Sequence, residues 1–296
     1  MITANGRLFE YAPKLTAFEF GDLHSPNVLI FIGGLGDGLL TVPYVPLLAE
    51  KLATIGWSVV QIQFTSSFIG FGTGSLARDA DEISKLVAYL RSPLSPVGSR
   101  KKVGLMGHST GSQNTLYYLS KFAKTAETDI DFGVLQASAS DREAIVSLAG
   151  EEVTDKSVAY AQDLISKGSG REFMPVEITD QFFGAPINAN RWFALASIRG
   201  DDDFFSTYLG PEDLKQTFGK VERPLLVLYS GADEYVSPDT DKHALVKKFQ
   251  AATDPKFWSP LSTVVEGGSH NLGPTSKNPD APAFAVGQVV KFLDGI

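Results

Sequence analysis

The chain has no cysteine among its 296 residues. That excludes disulfides, a thiolate nucleophile and any cysteine-ligated metal, so covalent catalysis must use another side chain. Histidine is scarce at four copies, and a site that needs an imidazole can therefore be traced to few positions. No window approaches the roughly 18 apolar residues of a membrane span. Residues 1–7 lack the charged start and apolar stretch of a secretory leader. A cytoplasmic protein is expected, and the missing cysteines suit a reducing compartment. Positive charge is also short, with 26 Lys and Arg against 34 Asp and Glu for a net −8. Without a basic stripe interleaved with aromatics, nucleic acid is not expected as a partner.

What the chain does have is rhythm. Short apolar runs at 15–20, 28–32, 57–64, 103–106, 132–136, 225–229 and 262–265 alternate with stretches of helical spacing, such as Ile83, Leu86, Val87 and Leu90. Residues 47–52 read as another helix and 283–293 as the last. This predicts an α/β domain, a mostly parallel central sheet flanked by helices, with no internal repeat. After Gln136 roughly 80 residues pass before the next core strand, far more than an ordinary connection. Helices are predicted around 144–148 and 158–166, followed by Phe173, Phe182, Phe183, Trp192, Phe193, Phe204, Phe205 and Tyr208. So aromatic a stretch is no disordered linker. The division expected is a core of residues 1–137 and 221–296 carrying an inserted cap, or lid, at 138–220.

Gly107-His108-Ser109-Thr110-Gly111 fits G-x-S-x-G. Residues 101–106 before it form a buried-strand pattern, and Leu116, Leu119 and Phe122 after it have helical spacing. A serine at such a strand-to-helix turn is held exposed at the sheet's C-terminal edge, beside the free N–H groups of a helix start. The bland alternative is a plain Gly-rich turn. A serine hydroxyl needs a base. His108 adjoins the serine and its side chain is expected to point elsewhere; His24 precedes the first central strand and His243 follows a helix start. His270, in the loop after the last strand, is the base expected, against the alternative of a solvated loop histidine. The carboxylate that orients it is expected from the loop after 225–229, with Asp233 first and Glu234 its rival; Asp239 and Asp241 read as solvated or helix-capping. Oxyanion donors are expected from the backbone N–H groups of Leu35, in the Gly33–Gly38 turn, and of Thr110. As a phosphate loop these glycines lack the Lys-Ser/Thr pair or dinucleotide spacing. No metal or cofactor is expected; the partner is a small-molecule ester.

With serine, acid and histidine in that order, the chain resembles the α/β-hydrolase superfamily from about residue 14 to 295. More closely, residues 31–44 (FIGGLGDGLLTVPY) and 106–113 (MGHSTGSQ) resemble a fungal branch that includes esterases of fusarinine-type siderophores. Gly33 stands where many superfamily members carry histidine, which leaves the detail of the oxyanion hole open. The resemblance implies a serine hydrolase that cleaves a siderophore ester. Acyl transfer or C–C hydrolysis would use the same three residues, and a slow-turnover receptor of the same fold is an alternative of another class. If the substrate is a siderophore, the cap aromatics could enclose it and Asp201, Asp202 and Asp203 could meet its ammonium groups. Against this, the aromatics could form the cap's own core, and Asp202 or Asp203 could cap a helix beginning near Phe204.

Overall fold

The apolar runs pair side by side in the computed structural model, which describes residues 3–180 and 184–296. β1 (Gly6–Ala12), β2 (Leu15–Gly21), β3 (Asn27–Ile32), β4 (Trp57–Gln63), β5 (Lys102–His108), β6 (Gly133–Gln136), β7 (Leu225–Ser230) and β8 (Thr263–Val265) form one sheet. Its order is β1-β2-β4-β3-β5-β6-β7-β8. Neighbours from β4 to β8 are parallel, and β1 and β2 are antiparallel. This is the α/β-hydrolase fold.

Helices α1 (Val45–Ala53), α2 (Leu76–Arg91) and α3 (Thr110–Ser120) follow the early strands. Between β6 and β7 lie α4 (Asp141–Ala149), α5 (Glu151–Ser166), α6 (Val176–Thr179), α7 (Ala189–Ala196) and α8 (Pro211–Lys215); α9 (Lys242–Ala252) and α10 (Ala281–Asp294) complete the chain. Because successive strand side chains point to opposite faces, each parallel strand feeds two cores. Val28 and Ile30 pack with α2, α3 and α9 through Ile83, Leu116 and Phe249. Leu29 and Phe31 pack with α1 and α10 through Leu48 and Val289. Burying a side chain of this size contributes roughly 1.5–3 kcal/mol, which is what holds the helices on the sheet.

The segment between β6 and β7 divides its apolar residues. Ile145, Ala161, Met174, Ile187 and Trp192 form a cluster with Phe71. Phe204, Phe205 and Phe218 instead enter the main core beside α3 and α9. No helix begins near Phe204. Asp202 is buried and pairs with the equally buried Arg191 at 2.7 Å. Asp203 accepts from the Arg199 N–H at 2.9 Å and from the Tyr208 hydroxyl at 2.5 Å. The helix-capping role expected for these two aspartates is thereby overturned, because internal donors hold their carboxylates and no helix follows them; Asp201 is exposed. Phe182 and Phe183 lie outside the described residues. Among the described residues, no helix is long and apolar enough to cross a membrane.

Candidate active site

Ser109 stands between the end of β5 and the start of α3 with φ 55° and ψ −123°. For a residue with a Cβ this backbone costs on the order of 1–3 kcal/mol, and it persists only where surrounding bonds hold it. The Ser109 N–H donates to the Gln136 carbonyl at 3.0 Å, and the Ser112 N–H donates to the Ser109 carbonyl at 2.7 Å. The Ser112 hydroxyl contacts the Gly107 and Gln136 carbonyls at 3.0 and 2.9 Å. The flanking glycines are sterically required: a Cβ on Gly107 would lie 1.9 Å from the Gly111 carbonyl oxygen, and one on Gly111 would lie 2.3 Å from that of Ile32.

His270 lies in the loop after β8, and its Nδ1 is 2.7 Å from Oδ2 of Asp233, in the loop after β7. The Asp233 side chain is fully buried, and its Oδ1 accepts the Tyr235 N–H at 3.0 Å. A carboxylate at Nδ1 leaves Nε2 of a neutral imidazole as the bare nitrogen. Glu234, the rival carboxylate, accepts the backbone N–H of His270 at 2.8 Å. The structure thus brings Asp233 to the ring and Glu234 to the loop that carries it. Asp241 caps α9 through the Ala244 N–H at 2.9 Å, Asp239 is exposed, His24 is exposed and His243 meets Glu266 at the surface.

The Gly33–Gly38 turn lies directly against the serine. A Cβ on Gly34 would sit 2.7 Å from Ser109 Cβ and 3.2 Å from its Oγ, so only glycine allows the approach. Asp37 locks the turn by accepting the Gly34 N–H at 2.7 Å while its own N–H donates to the Gly34 carbonyl at 3.0 Å. The N–H groups of Leu35 and Thr110 make no hydrogen bond to the described residues.

Leu35, Ser109, Asp141, Glu234, Tyr235 and His270 line one cavity of about 190 Å³. None of the described aromatics between Phe173 and Tyr208 lines it; that segment contributes Ser140, Asp141 and Ala144 instead. Asp141 accepts from Gln113 Nε2 at 2.5 Å, and burial, reinforced by the charge of Asp202, pushes its carboxyl up to about 7. His108 also differs from expectation. The residue lines the same cavity, and its buried ring has its centroid 5.0 Å from that of His270. Sequence reasoning missed Asp37, Gln136 and Asp141; the one available signal was Gln136, a polar residue ending a buried strand.

A family model described as protein of unknown function (DUF1749) matches residues 1–294. A UPF0613 protein of Schizosaccharomyces pombe is 41% identical over 97% of this chain and 96% of its own length. Fusarinine C esterase sidJ of Aspergillus fumigatus is 31% identical over 98% of this chain and 96% of its own. The solved structure of the siderophore hydrolase EstB from Aspergillus fumigatus matches with a TM-score of 0.84 at 31% identity, covering 99% of this chain and 98% of that one.

Proposed function

The chain belongs to the DUF1749 family, in the fungal esterase branch of the α/β hydrolases, and from that premise we propose that it is a serine esterase working through an acyl-enzyme. The observation that carries the reading is the 2.7 Å contact between Asp233 and His270 at the cavity that Ser109 also lines. Ser109 Oγ attacks the ester carbonyl as His270 Nε2 takes its proton, and Asp233 stabilises the imidazolium that forms. The tetrahedral oxyanion is met by the unused N–H groups of Leu35 and Thr110, each such donor contributing about 3 kcal/mol. Collapse expels the alcohol, which leaves with the proton from His270. Water, deprotonated by the same nitrogen, then releases the acid.

For substrate we infer a fusarinine-type siderophore ester, a reading supported by what sidJ and EstB are named for. The cavity of about 190 Å³ takes the acyl portion at the scissile bond. The remainder of so bulky a molecule lies at the mouth, under residues 138–220 acting as a cap. The reaction is assigned to the cytoplasm, consistent with a chain of zero cysteines. The test is to incubate purified enzyme with iron-loaded and iron-free fusarinine-type siderophores and with short p-nitrophenyl esters, following products by mass spectrometry. Cleavage of a siderophore at its ester bonds is expected. If short esters turn over and neither siderophore form is cut, the substrate assignment fails and the esterase assignment stands.

A further inference from the structure

His108 has no role in the chemistry above, yet the residue lines the cavity and its buried ring packs 5.0 Å, centroid to centroid, from that of His270. Its hydrogen can be placed from the bonds around Gln136. The His270 carbonyl oxygen can only accept, so the amide end facing it at 3.1 Å is Nε2, which also donates to Ser230 Oγ at 3.0 Å. Oε1 of Gln136 therefore faces the other way. There it accepts from the Tyr44 hydroxyl at 3.1 Å and meets His108 Nδ1 at 2.6 Å. An amide oxygen cannot donate, so Nδ1 of His108 carries a hydrogen. Burial, aided by the neighbouring His270, pushes the His108 imidazole down to about 4, against the opposing pull of Asp37, the Gln136 bond and Asp233. The ring is thus neutral at ordinary pH, and Nε2 is a bare acceptor. Among the described residues no donor reaches it.

We propose that His108 Nε2 is a substrate-binding acceptor, so that the enzyme prefers esters carrying an N–H or O–H donor close to the scissile carbonyl. Gln136 is the residue that sets this selectivity, because the amide that supports the His270 carbonyl also dictates the tautomer of His108. One amide thereby couples the orientation of the proposed base to the polarity of the pocket wall. A neutral ring has a second advantage here: it does not oppose the positive charge that His270 acquires during attack. The inference rests on the proposed esterase reading for the reaction, but the acceptor role is a binding property that can be measured apart from turnover.

The experiment uses the full chain with 15N-labelled histidine in a Ser109→Ala background. We expect His108 to show a protonated Nδ1 and a bare Nε2, unchanged between pH 8 and 5. The Nε2 resonance is expected to shift on adding an ester with an amide or hydroxyl next to the carbonyl, and to stay in place with an isostere lacking the donor. A protonated Nε2, or equal shifts with both esters, overturns the proposal. Kinetics on the active enzyme give the second readout. His108→Asn keeps an N–H toward Gln136 but withdraws the acceptor, and is expected to raise KM for the donor-bearing ester about tenfold relative to the isostere, the scale of one neutral hydrogen bond. His108→Gln, whose amide oxygen reaches toward the Nε2 position, is expected to restore part of the preference. Equal losses on both esters in His108→Asn mean a structural role and overturn the proposal. If the wild-type enzyme cleaves neither ester, the esterase reading fails, and the resonance shifts still decide the acceptor role.

Discussion

At the scale of single residues, the site depends on which of two adjacent carboxylates meets the imidazole ring. Asp233 does so at 2.7 Å from a buried position, whereas Glu234 holds the backbone N–H of the same histidine. We expect Asp233→Asn to lower kcat by on the order of 10³–10⁴, because the amide favours the wrong tautomer. Glu234→Gln is expected to cost less than about tenfold, since an amide oxygen still accepts that N–H. Initial rates on a p-nitrophenyl ester, with circular dichroism to check folding, give the ranking, and its reversal would move the acid to Glu234. Ser109, Asp233 and His270 were legible in the sequence because each sits just past a strand, where a turn must bring it to one sheet edge. Asp37 and Gln136 were not. Gln136 works through residues as far as 134 positions away, and no local pattern encodes such a bond.

At the scale of elements, the close crossing of β3, β5 and α3 is what presents the serine. An added methyl at Gly111 meets the Ile32 carbonyl oxygen at 2.3 Å, so Gly111→Ala must push strand and helix apart. We expect it to lose about 1–3 kcal/mol of stability and most of the activity. Gly287, inside α10 with nothing within 4 Å of an added Cβ, provides the contrast. There Gly287→Ala is expected to gain about 0.5–1 kcal/mol at unchanged activity. Urea midpoints for the two variants check both signs. The buried parallel strands could be read from the sequence because they are continuous apolar runs. β1 could not, because it is an edge strand with alternating exposure and polar residues such as Arg7 and Glu10. The helix expected near Phe204 failed for another reason: Asp202 and Asp203, its supposed caps, are drawn to Arg191, Arg199 and Tyr208.

At the scale of the whole molecule, buried carboxylates make stability depend on pH in an unusual direction. Asp79 is buried on α2 with Ser66 Oγ donating to it at 2.7 Å, and burial pushes its pKa from 3.8 up to about 6. The folded chain then binds a proton that the unfolded chain has released between those two values. The stabilising contribution is therefore complete below the unfolded pKa and is lost as pH rises through about 6. The shift corresponds to roughly 3 kcal/mol. Asp141, raised to about 7, acts in the same direction. We expect Asp79→Asn to flatten the fall in stability between pH 4 and 6, measured by denaturant unfolding at each pH; an unchanged slope would show that other groups govern it. The layered plan of the molecule followed from the alternation of apolar runs and helical spacing. The use made of the long segment before β7 did not, because composition marks Phe204 and Phe205 as buried without saying that they enter the sheet's own core.

The central claim is that Ser109 is a nucleophile activated by His270, and the direct measurement is reaction with a fluorophosphonate followed by peptide mass spectrometry. One adduct on Ser109 is expected in the wild type, none in Ser109→Ala and much slower formation in Asp233→Asn. An adduct on any other residue, or labelling that persists in Ser109→Ala, would contradict it.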